Sequence, residues 1–242
     1  MKRIIEIDLL KGIAVITMII FHIPYLAYQM DIIPNNNLNS GILHFIARFT
    51  QLIFIMMVGV NLGVSYLNDN KKWKNKQKKR ILKLGFTSML ITLLTYYAFP
   101  TKYVKFGILH FITCAIFIQS WMVHSVNLQL GFIFFILLLE INKNNIKPFF
   151  KKNIHPFISF ILGIYNEKYN AIDHFPIIPV IILVCTGVII SHTIYKDRTE
   201  GYLKKDFPIT KLGKHSFNIY VIHWFVLYFG LLFYKRYINE FI

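Results

Sequence analysis

Long apolar runs separated by short polar linkers dominate the chain. A helix needs about 20 mostly apolar residues to cross a hydrocarbon core about 30 Å thick. Seven runs approach or exceed that length: 9–30, 43–66, 81–99, 107–124, 126–141, 176–195 and 215–234. The pattern predicts an all-α membrane protein, with residues 1–242 forming a single polytopic helical bundle.

A shorter apolar segment, His155 to Tyr165, leaves seven or eight crossings open. It has about half the length of a span, which favours a re-entrant or interfacial piece. The linker 71–80 holds seven basic residues and is therefore predicted to be cytoplasmic. Seven spans then place more basic residues inside than outside, whereas eight divide them evenly. We therefore predict seven spans, with the amino end cytoplasmic and the carboxyl end outside.

Composition narrows the function classes. The chain has 27 Lys+Arg against 11 Asp+Glu, but charged residues make up only 16% of it. Because the basic residues sit mainly between apolar runs, they indicate topology and contact with anionic headgroups rather than nucleic-acid binding. Cys114 and Cys185 lie inside apolar runs, with neither metal-ligand nor disulfide spacing.

Ionisable residues inside the spans are the candidates for chemistry, because charge in a membrane is costly and usually functional. Lys11 and His22 share one face of the first span, about 16 Å apart, with Asp8 one turn below Lys11. A structural alternative is that Lys11 reaches the inner headgroups and His22 only packs.

Further polar residues belong to the other spans. His110 enters the fourth span from the predicted outer side, Asp173 precedes the sixth on that side, and His223 lies mid-way along the seventh. Together with His22 they can meet in one cavity. A neutral imidazole near a carboxylate in such a cavity is suited to act as a general base. No histidines are spaced i, i+4 on one helix, so no metal site is predicted. Gly59 and Gly63 form a G-x-x-x-G pattern that is typical of close helix packing.

Five motifs occur in the order seen in one known family. They are residues 3–22, 54–59, 106–110, 173–179 and 216–223. This ordered set resembles the heparan-α-glucosaminide N-acetyltransferase catalytic-domain family, in particular its short prokaryotic branch. The spacing from Lys11 to His22 is also similar to that in the wider group of membrane acyltransferases, where arginine usually stands in place of the lysine.

The resemblance implies an acyltransferase in a prokaryotic plasma membrane. Acetyl-CoA would bind from the cytoplasmic side, and an amino or hydroxyl group of a sugar or glycan would approach from outside. Lys11, Arg80 and Lys214 are the basic groups that would hold the CoA phosphates. His22, oriented by Asp173 or His223, would take the acceptor's proton.

The family's acetyl-accepting histidine has no counterpart in the stretch from Asn35 to Ser40, so direct transfer is preferred to a covalent acetyl-histidine. The bilayer, acyl-CoA and the glycan are the predicted partners, and a homodimer is possible. A small transporter or proton-coupled carrier, or a non-catalytic membrane subunit, is the alternative. Against a transporter, the chain shows no inverted repeat and no paired broken helices.

Overall fold

The computed structural model describes residues 4–34, 40–164, 171–196 and 200–237. These residues form ten helices: α1 Ile5–Gln29, α2 Gly41–Asn68, α3 Asn70–Ala98, α4 Ile108–Met122, α5 Val126–Ile141, α6 Lys143–Asn153, α7 Pro156–Leu162, α8 Ile177–Ile194, α9 Pro208–Lys214 and α10 Ser216–Tyr237. Within the described ranges there is no strand, and only Phe106 and His174 form an isolated parallel bridge. The predicted all-α class is confirmed.

Five helices, α1, α2, α3, α8 and α10, are long and apolar enough to cross a membrane. A sixth span results if α5 and α6 are counted as one, although these two helices meet at an angle of 82°. The predicted run 107–124 yields only the 15-residue α4. Length and composition therefore support a multi-pass protein with five or six spans, and they do not confirm the predicted seven. Of the segment 155–165, the described residues 155–164 contain the seven-residue α7 and no other helix.

The basic linker 71–80 was predicted as a loop, and that prediction is wrong. It forms the first turns of α3, which continues without a break to Ala98. Asp69 caps this helix by accepting a hydrogen bond from the backbone N–H of Lys72 at 3.1 Å. Trp73 and Gln77, one turn apart, are buried, and the Trp73 indole donates to the carbonyl of Leu62. Capping and this packing extend the helix beyond its apolar part.

The described residues fall into two compact units, 1–57 with 198–242 and 58–197. In the first unit α1 and α10 run parallel. His22 of α1 lies beside His223 of α10, and further along, Lys235 Nζ donates to the carbonyl of Met30 at 2.6 Å. The amino ends of α1 and α10 therefore lie at the same end of this unit.

At that end α9 packs on α1 with almost no space between the backbones. A Cβ atom on Gly12 would overlap the carbonyl of Ile209, and one on Gly213 would overlap the carbonyl of Asp8. Glycine is required at both positions because any side chain would push the two helices apart. Glu6 closes the same end by accepting from the backbone N–H of Tyr202 at 2.8 Å.

In the second unit residues 58–68 of α2 pack on α8. A Cβ on Gly59 would overlap the Val184 carbonyl, and one on Gly63 would overlap Ser191, so the predicted close packing at the G-x-x-x-G pattern is confirmed. Because residue numbers rise together along this contact, α2 and α8 are parallel.

The second unit also contains a parallel pair made by α4 and α8. The His192 ring, near the end of α8, donates from Nε2 to the carbonyl of Val123 at 2.7 Å, just after α4. Asp173, just before α8, accepts from the backbone N–H of Ile108 at the start of α4. Between α4 and α5, the buried side chains of Gln119 and Gln129 exchange hydrogen bonds of 3.0 and 2.7 Å.

Candidate active site

A pair of histidines lies in the interior of the first unit. The rings of His22 and His223 are 4.9 Å apart between centroids, with their planes at 70° to each other. Each is carried by a long apolar helix, so neither ring is held by a flexible loop. The predicted proximity of His22 and His223 is thus seen in the structure.

Backbone contacts determine which nitrogen of each ring carries the proton. His22 Nδ1–H donates to the carbonyl of Met18 at 2.8 Å, and His223 Nδ1–H donates to the carbonyl of Tyr220 at 2.6 Å. In a neutral imidazole the other nitrogen is then an acceptor with a free lone pair. Nε2 of His223 is buried and has no hydrogen-bond partner among the described residues. Both rings therefore present Nε2 as a hydrogen-bond acceptor rather than as an N–H donor.

Aromatic side chains surround this histidine pair. Tyr25 lies one turn above His22, with its ring centroid 6.2 Å away, and Tyr220 lies one turn below His223 at 5.6 Å. Phe54 of α2 packs on the Tyr220 ring. These aromatic neighbours were not predicted from the sequence, although tyrosine and histidine are spaced i, i+3 on both helices, which was a usable signal.

Two of the three predicted CoA-binding residues lie on the helices that pack together at this end of the first unit, one on α1 and one on α9. Lys11 and Lys214 directly adjoin the close-contact residues Gly12 and Gly213. Each lysine has an acidic partner, Lys11 with Asp8 at 3.7 Å and Lys214 with Asp206 at 2.7 Å. The Lys214 hydrogen bond holds the pKa of the Asp206 carboxyl below its ordinary value. Exposed lysines that sequence reasoning did not single out lie close by in sequence: Lys204, Lys205 and Lys211.

The other predicted site residues belong to the second unit. His110 Nε2–H donates to the Thr92 hydroxyl at 3.2 Å, and that hydroxyl donates to the carbonyl of Val104. Asp173 Oδ2 accepts from the N–H of Ile108 at 3.1 Å and so caps α4, while burial raises the pKa of this carboxyl to about 6. Arg80 lies half-buried in α3. Pairing of Asp173 with His22 stays a prediction.

Two further sequence predictions concern a metal and a covalent histidine. Within the ranges that the structure describes, no group of three or more His, Cys, Asp or Glu side chains could hold a metal ion. Of the stretch Asn35 to Ser40, positions 35–39 lie outside the described residues.

Comparison with known proteins defines the family. The sequence profile described as "Heparan-alpha-glucosaminide N-acetyltransferase, catalytic" matches residues 3–225, nearly the whole chain. The chain belongs to this family. The family resemblance seen in the sequence is therefore confirmed, and the matched range includes every predicted site residue. No curated protein and no solved structure matches the chain.

Membership in the heparan-α-glucosaminide N-acetyltransferase family indicates that the chain is a membrane transferase. The family in general uses acetyl-CoA as donor and a sugar as acceptor. Together with the apolar helices, this confirms the predicted class of multi-pass membrane acyltransferase.

Proposed function

We propose that this protein is a membrane-embedded acyltransferase that moves an acetyl group from acetyl-CoA to an amino or hydroxyl group of a sugar, with His22 as general base. Family membership supports the reaction class. The observation that carries the assignment of the base is the histidine pair, because two imidazoles that donate Nδ1–H to backbone carbonyls both present Nε2 as a proton acceptor.

The reaction needs a base because a sugar hydroxyl is a weak nucleophile until its proton is removed. In our proposal Nε2 of His22 takes that proton as the acceptor oxygen or nitrogen attacks the thioester carbonyl. The carbon–oxygen or carbon–nitrogen bond forms, the carbon–sulfur bond breaks, and the CoA thiolate leaves and takes up a proton. We assign His223 the role of accepting a hydrogen bond from His22 once that ring is protonated, which its unpartnered Nε2 supports.

We propose that acetyl-CoA binds at the end of the first unit where α1 and α9 carry Lys11 and Lys214. Lys11 and Lys214 would bind phosphate oxygens of CoA in exchange for their contacts with Asp8 and Asp206. Lys11 and His22 are about 16 Å apart along α1, which suits an extended pantetheine arm between phosphates and thioester. Arg80 as a further phosphate ligand, and Asp173 and His110 as catalytic residues, stay proposals that rest on the sequence motifs.

Seven spans, with the amino end in the cytoplasm and the carboxyl end outside, complete the proposal. Parallel α1 and α10 support an odd number of crossings from first to last. Eight crossings do not meet this requirement. If α4 and α5 both cross, as the sequence predicts, the crossing helices are α1, α2, α3, α4, α5, α8 and α10, which makes seven.

Purified protein in nanodiscs, given acetyl-CoA with a radiolabelled acetyl group and a mixture of amino and neutral sugars, tests the function. We expect label on a sugar, and His22→Ala should lower the rate about 10²- to 10⁴-fold, as loss of a general base does. The matched control is His124→Ala, since His124 is an exposed histidine in the link between α4 and α5. Binding of acetyl-CoA without transfer by the wild type would instead favour the carrier or non-catalytic subunit.

A further inference from the structure

One short helix of the second unit packs only partly into the protein: it contacts α5 and α7, and Ile146 and Phe150 are half-buried. Helix α6, Lys143–Asn153, contains no buried residue, and Phe149 is 59% exposed. It leaves the apolar helix α5 after Asn142 at an angle of 82°. If α5 crosses the membrane, α6 therefore runs nearly parallel to the membrane surface.

The residues of α6 separate into two faces. At 100° per residue, Lys143, Lys147 and Lys151 follow one stripe, while Ile146, Phe149 and Phe150 occupy an arc of about 100° beside it. Such separation, with lysines next to an aromatic face, is typical of helices that lie in a membrane interface.

The charge of α6 specifies the kind of headgroup. It contains four lysines and no acidic residue, and Lys143 Nζ lies 3.0 Å from the carboxylate of Glu140 in α5. Lys151 and Lys152 are exposed. Each lysine near an anionic membrane surface contributes about 1 kcal/mol of binding free energy, which is roughly fivefold in affinity. Zwitterionic headgroups offer no such net attraction.

We propose that α6 is an interfacial helix that binds anionic phospholipid headgroups through its lysines, while Ile146, Phe149 and Phe150 insert between the acyl chains. This inference is independent of the proposed transferase reaction. Its partner is the lipid surface, and neither a second protein nor a second copy of the chain is required.

Amide hydrogen exchange of the full-length wild type tests the proposal without any substitution. The protein is placed in nanodiscs of phosphatidylcholine alone, or of phosphatidylcholine mixed with phosphatidylglycerol. We expect the α6 amides to exchange severalfold more slowly in the mixed discs, while those of α5 are unchanged. Exchange of α6 that is equal in the two lipids, whether fast or slow, would overturn the proposal, because it would mean exposure to water or cover by protein.

A matched pair of variants then assigns the effect to the lysines. Lys151→Gln with Lys152→Gln should remove most of the difference between the lipids, since two charges contribute roughly 25-fold in affinity. Lys78→Gln with Lys79→Gln removes an equally exposed adjacent pair from α3 and should leave α6 exchange as in the wild type. An undiminished phosphatidylglycerol effect in the α6 variant would contradict the role of its lysines.

A spin label distinguishes insertion from mere surface attraction. A spin label at Phe149→Cys should be relaxed mainly by oxygen dissolved in the bilayer. Asn144 lies about 140° away round the helix, so a label at Asn144→Cys should be relaxed mainly by a water-soluble nickel chelate. The wild type contains the free cysteines Cys114 and Cys185, so its signal after the same labelling reaction is measured and subtracted. Equal access of the chelate to both positions would sink the insertion half of the proposal.

Discussion

At the residue scale, the positions of two protons decide what the histidine pair can do. The two histidines were singled out in the sequence as ionisable residues inside apolar spans, and the structure brings their rings together. The sequence alone could not assign their tautomers, because these depend on the backbone carbonyls of Met18 and Tyr220 one turn earlier on each helix. Nor could it find that Asp173 caps α4, a contact between residues 65 positions apart.

The role of His223 can be separated from that of His22 by steady-state kinetics. His223→Phe keeps an aromatic ring but removes the nitrogen that is proposed to accept a hydrogen bond from protonated His22. We expect kcat to fall by less than in His22→Ala, with the KM for acetyl-CoA unchanged because Lys11 and Lys214 are untouched. A raised KM at normal kcat would show that His223 serves binding instead.

Burial of Asp173 predicts a stability that depends on pH. Its folded-state pKa of about 6 lies above the ordinary 3.8, so the fold binds this proton more tightly than the unfolded chain does. The resulting stabilisation is complete below pH 3.8 and is lost as the pH rises through about 6. Asp173→Asn keeps an oxygen for the N–H of Ile108 and should remove this component.

The measurement is the thermal unfolding midpoint in detergent at several pH values between about 4 and 7. The wild-type midpoint should fall across this range more steeply than that of Asp173→Asn, and the variant should be the more stable of the two at the upper end. Identical slopes would show that Asp173 is not the group responsible.

At the element scale, apolar runs predicted where helices form but not how they end or meet. All seven runs coincide with helices, since hydrophobicity and length decide a span. Helix α9 lies in the linker between the predicted runs 176–195 and 215–234, where Pro208–Lys214 is too short and too polar to give a periodic signal. Its position is fixed by a contact with α1, which pattern reasoning on one segment does not see.

The contact between α1 and α9 makes a prediction about two glycines. Gly213→Ala or Gly12→Ala should destabilise the protein by about 1–3 kcal/mol, as overpacking does. It should also raise the KM for acetyl-CoA, because Lys11 and Lys214 are next to these positions. The control is Gly230→Ala in α10, where a Cβ meets nothing within 4 Å.

For Gly230→Ala the outcome should be neutral or stabilising by up to about 1 kcal/mol, because alanine is the better helix former. Chemical denaturation in mixed micelles and acetyl-CoA titration of the initial rate give the two readouts. Equal stability of Gly213→Ala and Gly230→Ala would contradict the close backbone approach.

At the scale of the whole molecule, charge predicts seven spans, and helix direction is consistent with an odd number, which five spans meet as well as seven. The distribution of Lys and Arg along the sequence favours seven spans over eight. Parallel α1 and α10 in one unit, and parallel α2 and α8 in the other, support an odd count without reference to charge. The sequence could not supply the second argument, because it requires knowing which helices are neighbours.

Labelling of single introduced cysteines with an impermeant maleimide in intact cells tests the predicted seven-span topology. Lys102→Cys and Asn144→Cys should be labelled from outside, and His124→Cys and Lys204→Cys only after lysis, with unsubstituted protein as the background. All four positions are exposed, so labelling reports the side of the membrane rather than burial. Eight spans would expose Lys204→Cys to the outside, and five spans with α4 and α5 re-entrant would leave His124→Cys on the side of Lys102→Cys. Only the seven-span arrangement yields the alternation outside, inside, outside, inside from position 102 to position 204.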